Sequence, residues 1–79
     1  METKTPTEAI AGVLREAAER KGITTSDLSR LTHIARETLR RKLAGKTEFT
    51  MGDLDALTRV LGLDLSVLVG IYAAARVGA

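Results

Sequence analysis

The sequence predicts an all-α fold, and three observations carry that prediction. Apolar residues recur at helical spacing, and no stretch alternates with the period of two that a half-buried strand requires. Threonine-led start signals and glycine stop signals punctuate the chain at short intervals. The apolar content is 44% but includes one Tyr, one Phe and no Trp, which points to an aliphatic core packed between helices. The chain of 79 residues is expected to form one domain over residues 1–79, compact and five-helical. A chain of this size buries only about 60% of its unfolded surface and so depends on efficient packing.

The elements follow in order. "TPTE" at Thr5–Glu8 reads as a capping box with Pro6 at the first helical position. Behind it Ile10, Val13, Leu14, Ala17 and Ala18 form an inward stripe, which Gly22 ends as a left-handed cap followed by apolar Ile23. "TTSD" opens a second helix at Thr24, with Leu28 and Leu31 expected to face inward. A third spans about residues 36–44. "FTMGD" opens a fourth near Thr50, with Leu54, Leu57, Val60 and Leu61 inward until Gly62. Asp64 caps a last helix over about residues 65–76.

Composition narrows the function. Without Cys there are no disulfides or thiolate metal sites, and a reducing compartment is expected. The start "METKTPTEAI" lacks a charged-then-apolar signal peptide. The weakly polar run from Leu65 to Ala75 falls short of the roughly 20 residues of a membrane span. A cytoplasmic protein with no membrane association is therefore expected. Net charge is only +2, yet its distribution is uneven. Arg30, Arg36, Arg40, Arg41, Lys42 and Lys46 face a single acid, Glu37, between residues 30 and 46, while the remainder of the chain is mildly acidic. One basic patch on an acidic body suits a polyanion-binding surface. Glu37 and Arg41 also form a favourable i,i+4 pair, but one acid cannot balance six bases.

The second and third helices meet across "LTHIA", Leu31–Ala35. A helix of about eight residues, a turn of three or four and a second helix make the helix-turn-helix pattern, here over about residues 24–45. From Gly22 to Leu68 the chain, "GITTSDLSRLTHIARETLRRKLAGKTEFTMGDLDALTRVLGLDLSVL", resembles the lambda-repressor-like (Cro/cI-type, XRE) DNA-binding family. Leu28, the turn at His33-Ile34, Leu39, Leu43 and Gly45-Lys46 match its spacing without a gap. The "LRRKLAGKTEFTMGDL" form looks especially like versions from actinobacterial genomes and their phages.

The chain departs from the family pattern in several places. His33 stands where the turn usually has Gly, and histidine is among the few other residues enriched at positive φ. Ala35 replaces the usual Ser or Thr cap, at a cost of roughly 1 kcal/mol. Thr25, Arg36 and Ala44 stand where the family often has Gln, Gln and Asn, and this chain has no Asn or Gln anywhere.

On a helical wheel of about 100° per residue, Leu39 and Leu43 lie within about 40° of each other and anchor the third helix. Glu37 and Arg41 then point away, Arg36 and Arg40 flank one side, and Thr38 and Lys42 flank the other. That arrangement suits a major groove, where outermost side chains meet base edges and flanking ones reach phosphates. Arg36, Glu37 and Arg41 occupy the places where relatives read bases, and Arg40 could serve base or phosphate. Thr25, Thr38, Lys42 and Lys46, with the backbone N–H groups around Ala44 and Gly45, are phosphate-contact candidates. Thr25 also sits at a helix N-terminus, which attracts anions. Thr38 and Ala35 could touch a thymine methyl. Asn and Gln read adenine, whereas Arg prefers guanine and Glu can accept from cytosine, so a half-site with essential G·C pairs is expected. In the alternative, Glu37 only orients Arg41.

Other chemistry finds no support. "AGKT" at Ala44–Thr47 resembles the tail of a phosphate-binding loop, but Arg40 stands where that loop needs Gly, and a helix precedes it in place of a strand. His33 is the sole histidine, without further ligands at metal spacing, and Ser26, Ser29 and Ser66 lack an activating base. The expectation is no enzyme, no metal, no cofactor and no small-molecule ligand. In the tail "VGIYAAARVGA", Leu65, Leu68, Val69, Ile71, Tyr72 and Val77 present more apolar surface than one small core can cover. Leu68, Ile71 and Tyr72 are the expected homodimer interface, at least on DNA; the alternative folds the tail back over the first helix. The resemblance implies a double-stranded DNA operator as partner, association with the nucleoid of a bacterial host cell, and the role of a small phage Cro-like protein or repressor. An antitoxin-like or other protein-interaction module using the apolar last helix is the alternative from another class.

Overall fold

Three of the five helices begin with one device. Thr5, Thr24 and Thr50 each accept the N–H of the residue three positions on, at 3.1, 3.1 and 3.0 Å. Glu8, Asp27 and Asp53 reach back to the threonine N–H groups at 2.9, 3.1 and 2.9 Å. Each reciprocal pair satisfies two donors that a helix start leaves without partners. The computed structural model describes residues 4–78. Its elements are α1 (Pro6–Lys21), α2 (Thr25–Thr32), α3 (Arg36–Leu43), α4 (Met51–Leu61) and α5 (Leu65–Gly78), and no described residue is in a strand. At the start of α5, the Ser66 N–H and Oγ donate to the Asp64 carboxylate at 2.9 and 2.8 Å.

The helix ends are as explicit as the starts. The N–H groups of Gly22 and Ile23 turn back to the carbonyls of Glu19 and Ala18 at 3.1 and 2.9 Å. Leu63 closes α4 onto the Thr58 carbonyl in the same way, at 2.9 Å. His33 ends α2 at φ 62°, the only non-glycine residue with positive φ among those described. It closes a single bond to Ser29 at 2.9 Å. The left-handed turn expected at His33 is therefore present.

The core is aliphatic, as the composition implied. Ile10, Leu14, Leu28, Leu39, Leu57, Leu61 and Leu68 are fully buried, with Ala11, Ala17 and Ala18 beside them. Helix α1 packs against α3, α4 and α5, while α2 packs against both α3 and α4. The tail takes the folded-back course, because α5 lies chiefly along α1.

Two leucine assignments need correction, one inward and one outward. Leu31 is 49% exposed and contributes little to the core. Helix α2 is only eight residues long and presents one buried side chain, Leu28. Leu68, expected at an interface, is 1% exposed inside the core. A residue with no free surface cannot meet a second molecule. Ile71 and Tyr72 are half-buried against the same core. Val67, Val69 and Val77 are the exposed valines of α5. No described helix is long and apolar enough to cross a membrane, and no group of three metal-ligating side chains occurs among the described residues.

Candidate nucleic-acid interface

Helix α3 is held at its entrance, its exit and one shoulder. At the entrance, Ser29 Oγ donates to the Ile34 carbonyl at 2.6 Å, and Thr32 Oγ1 donates to the Leu28 carbonyl at 2.6 Å. The first folds the turn between α2 and α3 against α2; the second lies within α2 and fixes a hydroxyl that also accepts the Ile34 N–H at 3.4 Å. Ala35, the residue preceding α3, supplies no side-chain cap, as the sequence implied. At the exit, Arg15 of α1 donates to the Leu43 carbonyl. A cation there satisfies a terminal carbonyl and complements the negative end of the helix dipole. Sequence reasoning missed Arg15, since its partner lies 28 positions away and no local spacing signals it.

With Leu39 and Leu43 buried, the opposite side of α3 is left to solvent. Arg36, Glu37, Thr38, Arg40 and Arg41 are all exposed there, with Ala35 and Ala44 at the two ends. Glu37 accepts Arg40 Nε at 3.1 Å and Arg40 Nη2 at 2.5 Å. The partner expected for Glu37 was Arg41, one position further on. The hydrogen bonds to Arg40, its charge, and the more distant charges of Arg41 and Arg36 hold the Glu37 carboxyl below the usual range. Among the described residues Arg36 and Arg41 have no ion-pair partner.

Lys42 departs from the expectation. Its side chain is 9% exposed and its ammonium is paired with Asp53, itself 15% exposed. A buried ammonium is costly unless paired, so the long lysine turns inward to the nearest carboxylate. It is not a free phosphate contact. Burial alone would raise the Asp53 carboxyl; hydrogen bonds from Lys42 and the Thr50 N–H outweigh it and hold the group below the ordinary carboxylate range.

The backbone after α3 also differs from what the sequence suggested. The N–H groups of Ala44, Gly45 and Lys46 donate to Arg40, Lys42 and Arg41 carbonyls, each at 3.0 Å. They close the helix and are not free to bind phosphate, so Gly45 drops out as a backbone donor. Its role is close packing: at φ 79°, a Cβ on Gly45 would lie 2.8 Å from Glu8 Cγ.

The remaining candidates divide between two shallow notches. Thr25 borders one with Arg15 and Leu43, which brings the start of α2 beside the end of α3. The first-turn N–H groups of α2 have no intrahelical acceptor. Lys46 is exposed and borders the other notch with Thr5, Gly45, Glu48 and Tyr72. Tyr72 thus stands beside the loop after α3, although the sequence assigned the two to different surfaces.

A short helix with an exposed basic face, buttressed by a second short helix across a left-handed turn, defines a helix-turn-helix nucleic-acid-binding fold. Residues 13–73 match the Cro/C1-type HTH DNA-binding domain, and the chain belongs to that family. In fold it is similar to the clp gene regulator ClgR from Corynebacterium glutamicum, with a TM-score of 0.81 and 20% identity. The match covers 92% of this chain and 78% of that one. No curated protein sequence matches the chain.

Proposed function

We propose that this chain is a sequence-specific, double-stranded DNA-binding transcriptional regulator of the phage Cro or repressor type, and not an enzyme. One observation carries the reading: α3 buries Leu39, Lys42 and Leu43 while turning Arg36, Arg40 and Arg41 outward. Inserted in a major groove, Arg36 and Arg41 would pair with guanine edges, and Glu37 with Arg40 would act as one unit beside them. Thr25, Thr38 and Lys46 would reach the phosphate walls and set register. The half-site therefore contains essential G·C pairs. A second copy, meeting through Tyr72, Ile71 and the exposed valines of α5, would present its own α3 about 34 Å away, one turn of DNA. The similarity to a gene regulator supports the regulatory part of the reading.

The test is selection from a randomised duplex library, followed by titration of the selected and random duplexes at two salt concentrations. The reading expects at least about a thousandfold preference for the selected site, with G·C pairs in it. Equal binding to both duplexes, abolished by salt, would leave only nonspecific electrostatic attraction.

A further inference from the structure

Helix α3 packs against α1 and α2, and no backbone packing joins it to α4. Its one polar tie to α4 among the described residues is the pair between Lys42 and Asp53. That pair is unlike the other ion pairs described. Those join residues three or four apart on one helix and stand in solvent; this one bridges two helices and is nearly covered. Buried pairs are weak sources of stability, because an apolar residue of similar volume often does as well. What a buried pair does supply is direction. Leu39 and Leu43 set how deeply α3 sits, but apolar contact is non-directional, and the bonds from Arg15 and Ser29 hold backbone carbonyls at the two ends of the helix, near its axis, where they resist roll least. Asp53 is a fixed anchor, since the oxygen that accepts Lys42 also accepts the Thr50 N–H at 2.9 Å.

We propose that Lys42 and Asp53 form a positioning pair that fixes the roll of α3 and so the direction in which Arg36 and Arg41 are presented. A roll of about 20° moves side-chain atoms roughly 6 Å from the helix axis by about 2 Å. Paired hydrogen bonds to a base edge tolerate about 0.5 Å. The pair therefore governs discrimination between sequences while leaving attraction to the phosphate backbone untouched. This inference rests on the DNA-reading role given to α3 above.

The experiment compares the unaltered chain with Lys42→Met and Asp53→Asn. The asparagine keeps an oxygen for the Thr50 N–H, so it tests the pair if the methionine variant fails to fold. Amide hydrogen exchange should quicken across α3 and residues 44–50 in both variants, with α1 unchanged. Affinity for the selected duplex should fall at least about fivefold. Lys42→Met should leave binding to random duplex and its salt slope as in the unaltered chain, and Asp53→Asn, which removes an acid, should not weaken that binding. An exchange profile matching the unaltered chain overturns the proposal. So does equal loss on both duplexes with a slope reduced by about 0.9, the mark of a phosphate contact at Lys42. If the unaltered chain shows no sequence preference, the DNA-reading role fails, and the exchange profile still decides whether the pair holds α3.

Discussion

Glu37 grips Arg40 through both carboxylate oxygens on the open face of α3. Such a fork leaves Arg36 and Arg41 as the uncompensated charges of that face, and it turns one acid and one base into a single neutral unit. Glu37→Gln breaks the unit. Binding to random duplex should rise about two- to fivefold, because one repulsive charge facing phosphates is gone. Stability should hardly change, because an exposed pair one turn apart contributes little. Titration against random duplex and urea unfolding check the two halves. A loss confined to one C·G position of a selected site would mean instead that Glu37 reads cytosine.

Gly45→Ala should be the more damaging of two glycine substitutions. Gly22 and Gly45 both lie at positive φ, where an alanine costs about 1–2 kcal/mol. A Cβ at Gly22 meets nothing within 4 Å, whereas at Gly45 it also approaches the Glu8 Cα to 3.4 Å. Gly22→Ala should show the backbone cost alone, and Gly45→Ala a further loss from overpacking against α1. Urea midpoints of the two variants, measured side by side, decide it.

Ala35→Ser should stabilise the fold. Ala35 has a non-helical backbone, φ −53° and ψ 136°, as a cap residue must, but no side chain to accept an N–H of α3. A serine hydroxyl there should add about 1 kcal/mol. Thermal unfolding should move upward, and affinity for random duplex should not change.

Acid should weaken the protein from below about pH 4, and Asp53→Asn should make that loss shallower. The folded Asp53 carboxyl titrates below its ordinary value. Near and below the ordinary value of about 3.9, the unfolded chain therefore takes up the proton first. Stability from this group is present above that value and disappears as pH falls through the folded one. Glu8, Asp27 and Asp64 are lowered too, by the threonine or serine donors at their helix starts. The asparagine variant should thus retain part of the acid limb. Urea midpoints at pH 6 and pH 3 measure it.

The helix boundaries were legible because their signals are local. A threonine followed three residues later by an acid, and a glycine before an apolar residue, act within one turn and need no knowledge of the fold. The outward set on α3 was legible for the same reason, since Leu39 and Leu43 orient a helix by spacing alone. Lys42 was not. It sits on the shoulder of the wheel, and what turned it inward is a carboxylate 11 residues away that only the packed fold brings near. Leu68 failed differently. Helix α5 carries apolar residues on several sides, so periodicity could not say which of them α1 would cover.

The five outward residues of α3, Arg36 to Thr38 with Arg40 and Arg41, form no side-chain hydrogen bond or ion pair with any other helix. What holds α3 in place is supplied elsewhere, by Leu39, Lys42 and Leu43 and by the bonds from Arg15 and Ser29. The lettering of this surface is thus separable from its mounting. Those five positions can be randomised together without touching the scaffold, so one chain could be rewritten for many target sites at little expense in folding.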